Sequence, residues 1–181
     1  MKIWVNDLPS VINPLDVNCP KGPLFAASSS KWKDCGSYFE DFEVGLNFES
    51  EPTLVTKVEI IDFASKYDPQ SFHLDEEAAN NGPFGQLTSS GFMTLGKSFT
   101  QIFKTGVYDG TSMGAWGIDE LRWTKPVYPG DLLKTKIEVL EAKKSAKNPR
   151  RGTARLKHTV TNQNNEIVMT WISNQMLRTK S

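Results

Sequence analysis

The sequence predicts an α+β fold in which one long helix precedes a run of antiparallel strands. An amphipathic segment with a single apolar stripe occupies 90–104, and most of the chain after it alternates between apolar and polar residues. Because helical and strand segments are segregated along the chain, a parallel sheet built from βαβ units is disfavoured. We expect the long helix to be buried against the concave face of the sheet.

The composition is that of an ordinary globular domain. The 181 residues include 21 Lys and Arg and 21 Asp and Glu, and a net charge of zero argues against a broad nucleic-acid-binding face. Neither a phosphate-binding loop motif nor an apolar run of about 18 residues is present. Without a secretory signal, Cys19 and Cys35 are predicted to be free thiols. We therefore expect a cytoplasmic protein with no nucleic-acid or membrane partner.

The first part of the chain is predicted to be an irregular N-terminal arm over 1–37, followed by one folded domain over 38–181. A polar serine run and four prolines favour irregular structure in the arm. These prolines are Pro9, Pro14, Pro20 and Pro23.

Local signals place the elements before the long helix. A first strand is predicted over 48–55, and the run Thr56–Glu59 has the form of a capping box that begins a helix. That helix should end before Pro69, because a proline disfavours helical backbone in the residue preceding it. A short second helix is predicted over 76–80, with Asp75 as its N-cap.

The long helix and the strands follow. Gly106 suits the C-terminal cap of the helix, whose predicted stripe contains Phe92, Leu95, Phe99, Ile102 and Phe103. Strands are predicted over Thr111–Trp123, around Leu133–Val139 and Ala154–Val160, and from Ile167 to about Leu177.

Asp68 and His73 are the first candidates for chemistry. On an ideal helix they would lie about 140° apart, but on a connector broken by Pro69 they can converge and hold one water molecule between them. The alternative is that both are solvated side chains on a connector. A second alternative combines His73, Asp75 and His158 in an iron site, although His158 lies on the apolar face of its strand, as expected of a core histidine.

Three separated motifs resemble the MaoC-like dehydratases, the (R)-specific enoyl-CoA hydratase group. In chain order they are FASKYDPQSFHLDEEAA, FGQLTSSGFMTLG and LRWTKPVYPGDLL. The resemblance implies a hot-dog fold, in which an antiparallel sheet wraps around a long central helix, and a homodimer or higher homo-oligomer. It also implies that Asp68 and His73 are the catalytic pair, and that Ser90, Gly91 and Gln70 form the oxyanion and substrate-binding part of the site.

The predicted role of Gly91 has a physical basis. The first N–H groups of a helix lack intrahelical partners and carry partial positive charge, so they can stabilise a thioester oxygen as it becomes enolate-like. A glycine lets a substrate approach the backbone closely. The expected substrate is an acyl-CoA or acyl-carrier thioester, in which coenzyme A is part of the substrate. No metal and no separate cofactor are expected.

Two departures from the family pattern leave alternatives open. The commonest form of the loop motif is DxNPxH, whereas Asp68 begins DPQSFH here, which puts Gln70 where asparagine is usual and Ser71 where proline is usual. Gln70 is expected to hold the loop by amide hydrogen bonds or to contact substrate. A hot-dog thioesterase and a non-catalytic acyl-binding subunit are the other functions considered. A basic hairpin over 143–151 is either a solvated loop tip or a surface that attracts the phosphates of coenzyme A or of a carrier protein's pantetheine arm.

Overall fold

The computed structural model describes residues 37–180, so nearly all of the predicted arm and both cysteines lie outside the described residues. The helices are α1 (Lys57–Tyr67), α2 (Ser71–Leu74), α3 (Glu76–Asn80) and α4 (Gly91–Lys104), with a short 3₁₀ turn at Phe39–Asp41. The strands are β1 (Asn47–Glu49), β2 (Thr53–Leu54), β3 (Ser112–Trp123), β4 (Leu132–Lys144), β5 (Arg151–Thr161) and β6 (Ile167–Arg178).

One antiparallel sheet forms the body of the domain. Its strands lie in the order β1-β4-β5-β6-β3, and β2 also pairs with β4. The α4 helix packs on this sheet, which is the hot-dog arrangement, so the α+β prediction is confirmed. Because β3 occupies the outer position beside β6, one long edge of the sheet is unpaired within residues 37–180. No helix in this range is long and apolar enough to span a membrane.

The elements before α4 follow the predicted signals with two exceptions. The capping box that starts α1 is present, with the Glu59 N–H donating to Thr56 Oγ1 and the Thr56 N–H donating to the Glu59 carboxylate. The single strand predicted over 48–55 is instead the two short strands β1 and β2. Between them Pro52 lacks the N–H that a continuous ladder needs. The connector before Asp75 also contains α2, which the sequence analysis did not predict.

The prediction that the apolar stripe of α4 is buried against the sheet is wrong for its three phenylalanines. Phe92 is 62% exposed, and Phe99 and Phe103 are 38% and 41% exposed, whereas Ile102 is fully buried. The buried face of the helix combines two apolar residues with three polar ones, namely Met93, Ile102, Thr94, Ser98 and Gln101.

Each of these polar residues of α4 has a hydrogen-bond partner, as buried polar groups require. Thr94 donates to the Ser90 carbonyl at 3.2 Å, and the other two bond to the sheet. Ser98 Oγ lies 3.1 Å from Thr135 Oγ1 and accepts a hydrogen bond from the Trp171 indole at 3.2 Å. Gln101 accepts from Thr135 at 2.7 Å and donates to the Leu133 carbonyl. The helix is therefore attached to the sheet by hydrogen bonds, and its aromatic side remains uncovered in the single chain.

Candidate active site

Asp68 projects from the point where α1 ends. Its N–H still bonds to the Ala64 carbonyl at 3.0 Å, but its own backbone has left the helix, with φ −153° and ψ 67°. Pro69 accounts for this turn, because its ring disfavours helical geometry in the residue before it. The carboxylate consequently points away from the path of α1 and is 17% exposed.

His73 lies on α2 and is held in one tautomer. The side chain is buried, and Nδ1 lies 2.7 Å from the Thr88 carbonyl oxygen. A carbonyl can only accept a hydrogen bond, so Nδ1 carries the proton and donates it. In the neutral ring Nε2 is then left with its lone pair, and this atom lies 3.4 Å from Asp68 Oδ2.

Two further hydrogen bonds orient the Asp68 carboxylate. The Ser90 hydroxyl donates to Oδ2 at 2.7 Å, and the Gln70 amide donates to Oδ1 at 2.7 Å. Burial on its own would raise the pKa of Asp68, but the hydrogen bonds from Ser90 and Gln70, together with the interaction with His73, outweigh it and hold the pKa below its ordinary value. Asp68 is therefore ionised at neutral pH.

When the His73 ring is neutral, the arrangement places two hydrogen-bond acceptors side by side, because the Nε2 lone pair faces a carboxylate oxygen of Asp68 at 3.4 Å. The protonated ring instead attracts this carboxylate, and this attraction helps to lower the pKa of Asp68. Two acceptors at this distance repel each other unless a donor satisfies both. A water molecule, which can donate one hydrogen to each, fits this requirement. The pair can therefore bind a single water and accept a proton from it.

Ser90 and Gly91 bring the start of α4 to the same place. Ser90 is the N-cap, and its Oγ accepts from the Phe92 N–H at 3.2 Å while its hydroxyl donates to Asp68. The N–H of Gly91, the first helical residue, has no hydrogen-bond partner among residues 37–180. An unpaired N–H with the partial positive charge of a helix N-terminus is thus available next to the Asp68 and His73 pair.

Replacing Ser90 with alanine should shift the acidic limb of the pH profile of kcat to higher pH. The hydrogen bond from Ser90 helps to lower the pKa of Asp68, so its loss raises that pKa and the carboxylate is protonated at a higher pH than in the wild type. We expect the acidic limb of kcat to move to higher pH. We also expect kcat to fall about 10- to 100-fold, because a hydrogen bond to a charged group contributes about 1.5–3 kcal/mol.

The same substitution should lower stability by about 1 kcal/mol through loss of the N-cap. A carboxyl with a lowered folded-state pKa stabilises the fold above its unfolded-state pKa and loses that contribution as the pH falls. In Ser90→Ala the pKa of Asp68 is less lowered, so the free energy of unfolding should fall less steeply in acid than it does in the wild type. Ser89→Ala is the matched control, since the Ser89 hydroxyl bonds to the Ser90 carbonyl and not to Asp68. Urea unfolding and pH–rate profiles measure both effects, and an unmoved acidic limb in Ser90→Ala would contradict the role of Ser90.

The structure brings together all five residues proposed from the sequence, namely Asp68, Gln70, His73, Ser90 and Gly91. Sequence reasoning missed the Thr88 carbonyl that fixes the His73 tautomer, because every residue type has a backbone carbonyl and the sequence does not show which one accepts a hydrogen bond. Asp75 is the N-cap of α3, as predicted, with its carboxylate accepting from the Ala78 N–H at 2.8 Å.

The iron-site alternative is not supported by the geometry. His158 is fully buried in the core, with Nε2 2.9 Å from Ser173 Oγ and its ring stacked on Trp171. Burial lowers the pKa of His158 to about 3. Among residues 37–180 no three His, Cys, Asp or Glu side chains are grouped as a metal ion would require. His158 is thus the core histidine that its place in the strand predicted.

The basic hairpin lies at the other end of the sheet from this site. It joins Lys144 to Arg151, whereas the site adjoins Trp123, which pairs with Met169. Along the strands these two ends are about 30 Å apart. The hairpin of a chain therefore does not border the site of the same chain.

The fold and the paired carboxylate and imidazole define a class of protein, the hot-dog dehydratases, and comparison with known proteins agrees. The MaoC like domain family matches residues 41–162. The crystal structure of the MaoC-like dehydratase from Rhodospirillum rubrum superposes with a TM-score of 0.75 at 32% identity, covering 81% of this chain and 99% of that one.

Two further structures extend the comparison. The R-hydratase PhaJ1 from Pseudomonas aeruginosa gives a TM-score of 0.61 at 26% identity, covering 81% of this chain and 88% of that one. A conserved hypothetical protein from Mycobacterium tuberculosis, described as having a double hotdog fold, gives 0.65 at 20% identity, covering 80% of this chain and 45% of that one. This last similarity concerns the fold alone.

The family match spans more than half of the chain, so the chain belongs to the MaoC-like dehydratase family. This membership supports a dehydratase activity, that is, a hydro-lyase.

Proposed function

We propose that this protein catalyses the reversible hydration and dehydration of a 2-enoyl thioester, interconverting an enoyl-CoA and a 3-hydroxyacyl-CoA. The observation that carries the proposal is the 3.4 Å separation of Asp68 Oδ2 from His73 Nε2. Asp68 is held there by Ser90 on this near oxygen and by Gln70 on the far one, and His73 is held on its far side by the Thr88 carbonyl. Two anchored acceptors that share one water suit the addition of that water across a double bond.

In the hydration direction the water held by Asp68 and His73 attacks Cβ of the enoyl group. One of its protons passes to the pair as the C–O bond forms, and the π electrons move toward the thioester carbonyl. The pair then returns a proton to Cα, so that the elements of one water are added and the enzyme is unchanged. Dehydration follows the same steps in reverse.

The Gly91 N–H is proposed to stabilise the intermediate charge. When the thioester carbonyl becomes enolate-like, its oxygen gains negative charge, and a helix N–H without another partner can donate to it. Gln70 is assigned a supporting role, because its amide binds the far oxygen of Asp68 at 2.7 Å. Through this bond it keeps the near oxygen turned toward His73.

The proposal is tested with a panel of 2-enoyl-CoA thioesters that begins with crotonyl-CoA. Loss of the conjugated-thioester absorbance reports hydration, and a thiol reagent in a parallel sample reports hydrolysis. We expect absorbance to fall without release of free thiol. Thiol release would indicate a thioesterase instead, and no reaction with any member of the panel would indicate a non-catalytic subunit.

We further infer that the working form is a homodimer or a higher homo-oligomer joined through β3 and α4. The free edge of β3 is suited to antiparallel pairing with a second copy about a two-fold axis. Seven large apolar side chains on these two elements are exposed in the single chain. They are Phe92, Phe99, Phe103, Met113, Trp116, Ile118 and Trp123.

We expect light scattering to give the mass of two or more chains, and Ile118→Lys to shift the protein toward a monomer by placing a charge on this face. Ile167→Lys is the matched control, because Ile167 is equally exposed at 46% but lies on neither β3 nor α4. A wild-type monomer at micromolar concentration would contradict the inference.

A further inference from the structure

Trp123, the last residue of β3, packs on the first turn of α4. Its indole N–H donates to the Gly91 carbonyl oxygen at 2.9 Å, and its ring meets Phe92 edge-on with the centroids 5.6 Å apart. A Cβ added to Gly91 would lie 2.6 Å from the indole Cε2 atom. From the sequence, the presence of a glycine at this position was explained by the close approach of substrate to the backbone. In the structure the Trp123 indole already fills the space that a side chain at Gly91 would occupy.

Hydrogen bonds connect this contact to the catalytic pair. The Gly91 carbonyl shares a peptide unit with the Phe92 N–H, which donates to Ser90 Oγ at 3.2 Å. The Ser90 hydroxyl in turn donates to Asp68 Oδ2 at 2.7 Å. Hydrogen bonds in series polarise and orient one another. The indole, the first peptide unit of α4, the N-cap and the carboxylate therefore form one connected chain.

We propose that Trp123 is a positioning residue for the hydration reaction, an inference that rests on the proposed function. Glycine is a poor helix former, so a helix that begins with Gly91 has a weak first turn. The indole offsets this weakness from outside the helix by packing on the glycine and bonding to its carbonyl. Trp123 thereby fixes the Gly91 N–H relative to Asp68, and it does so without being required to touch the reacting atoms.

The first test removes only the indole donor. Trp123→Phe keeps an aromatic ring on Gly91, and we expect kcat with crotonyl-CoA to fall about tenfold while KM stays within about twofold, as expected when a catalytic group is slightly misplaced. Thr124→Val is the matched control, because it removes a hydrogen bond from the neighbouring side chain to the Ile167 carbonyl at 2.7 Å. A wild-type kcat in Trp123→Phe, with or without lowered stability, would overturn the proposal.

The second test measures the contact itself by urea unfolding. We expect Gly91→Ala to lower the unfolding midpoint clearly in the wild-type background and hardly at all in Trp123→Ala, where the shortened side chain leaves room for the new methyl group. Additive effects of the two substitutions would mean that the packing does not require the glycine. Unfolding does not depend on activity, so an inactive wild type would refute the proposed function while the coupling between Gly91 and Trp123 would still be decided.

Discussion

Replacing Asp68 with asparagine should lower kcat for hydration of crotonyl-CoA by about 10²- to 10⁴-fold, the usual loss on removing a general acid or base. Asparagine has the same shape, but one carboxylate oxygen becomes an NH₂ group. If that group takes the place of Oδ2, it can donate directly to the His73 Nε2 lone pair 3.4 Å away. The atom that would accept a proton from water is then occupied, so the fold should survive while the chemistry is lost.

The control for this variant is Asp62→Asn. Asp62 lies on α1, pairs with Lys66 at 2.6 Å and has a side chain that is 63% exposed, so the same chemical change is made away from the site. Surface ion pairs contribute about 0–1 kcal/mol, and we expect wild-type kcat from Asp62→Asn. Stopped-flow or steady-state absorbance measures both variants. If Asp68→Asn turned over nearly as fast as the wild type, Asp68 would not be a catalytic residue.

Short-range signals explain why much of the fold could be predicted from the sequence. The capping box at Thr56 and the N-cap at Asp75 act over three residues and need no tertiary partner. Pro69 likewise ends α1 through sterics with its immediate neighbour. Each of these features depends only on nearby residues, so the residue pattern was sufficient to place α1 and α3, but it did not predict α2, which carries His73.

The orientation of α4 could not be predicted in this way. Hydrophobic periodicity identifies an apolar face but does not say whether a sheet or a second chain covers it. The face that meets the sheet carries Ser98 and Gln101, which become suitable for burial only because Thr135 and Leu133, more than 30 residues later, supply their partners. Such long-range pairing leaves no pattern within the helix.

The residues of the candidate site could be proposed from motifs, but their connections could not. The bond from Ser90 to Asp68 spans 22 residues, and the bond from His73 to the Thr88 carbonyl spans 15. The second of these is accepted by the backbone carbonyl of Thr88, with the Thr88 hydroxyl farther away at 3.3 Å, and any residue type at this position would supply the carbonyl. These two bonds determine which atoms of Asp68 and His73 face each other, and only the three-dimensional structure shows them.

Replacing His73 with glutamine should also lower kcat by about 10²- to 10⁴-fold, because the Nε2 lone pair that faces Asp68 is lost. The substitution also removes the donor to the buried Thr88 carbonyl, and leaving a buried acceptor unpaired costs about 1–3 kcal/mol. We therefore expect a lower urea midpoint together with the loss of turnover. His158→Gln is the control, since the other histidine of the chain is buried in the core and should affect stability alone.

Combining the two substitutions tests whether Asp68 and His73 act as one unit. Residues that share a single step show strongly non-additive effects, because removing either one already abolishes the step. We expect the double variant Asp68→Asn/His73→Gln to be within about tenfold of the less active single variant, measured as kcat at saturating crotonyl-CoA. Losses that multiply would instead assign the two groups to separate steps. Because Asp68 Oδ2 and His73 Nε2 lie 3.4 Å apart, a single water can bind to both of them. The geometry therefore favours the non-additive result.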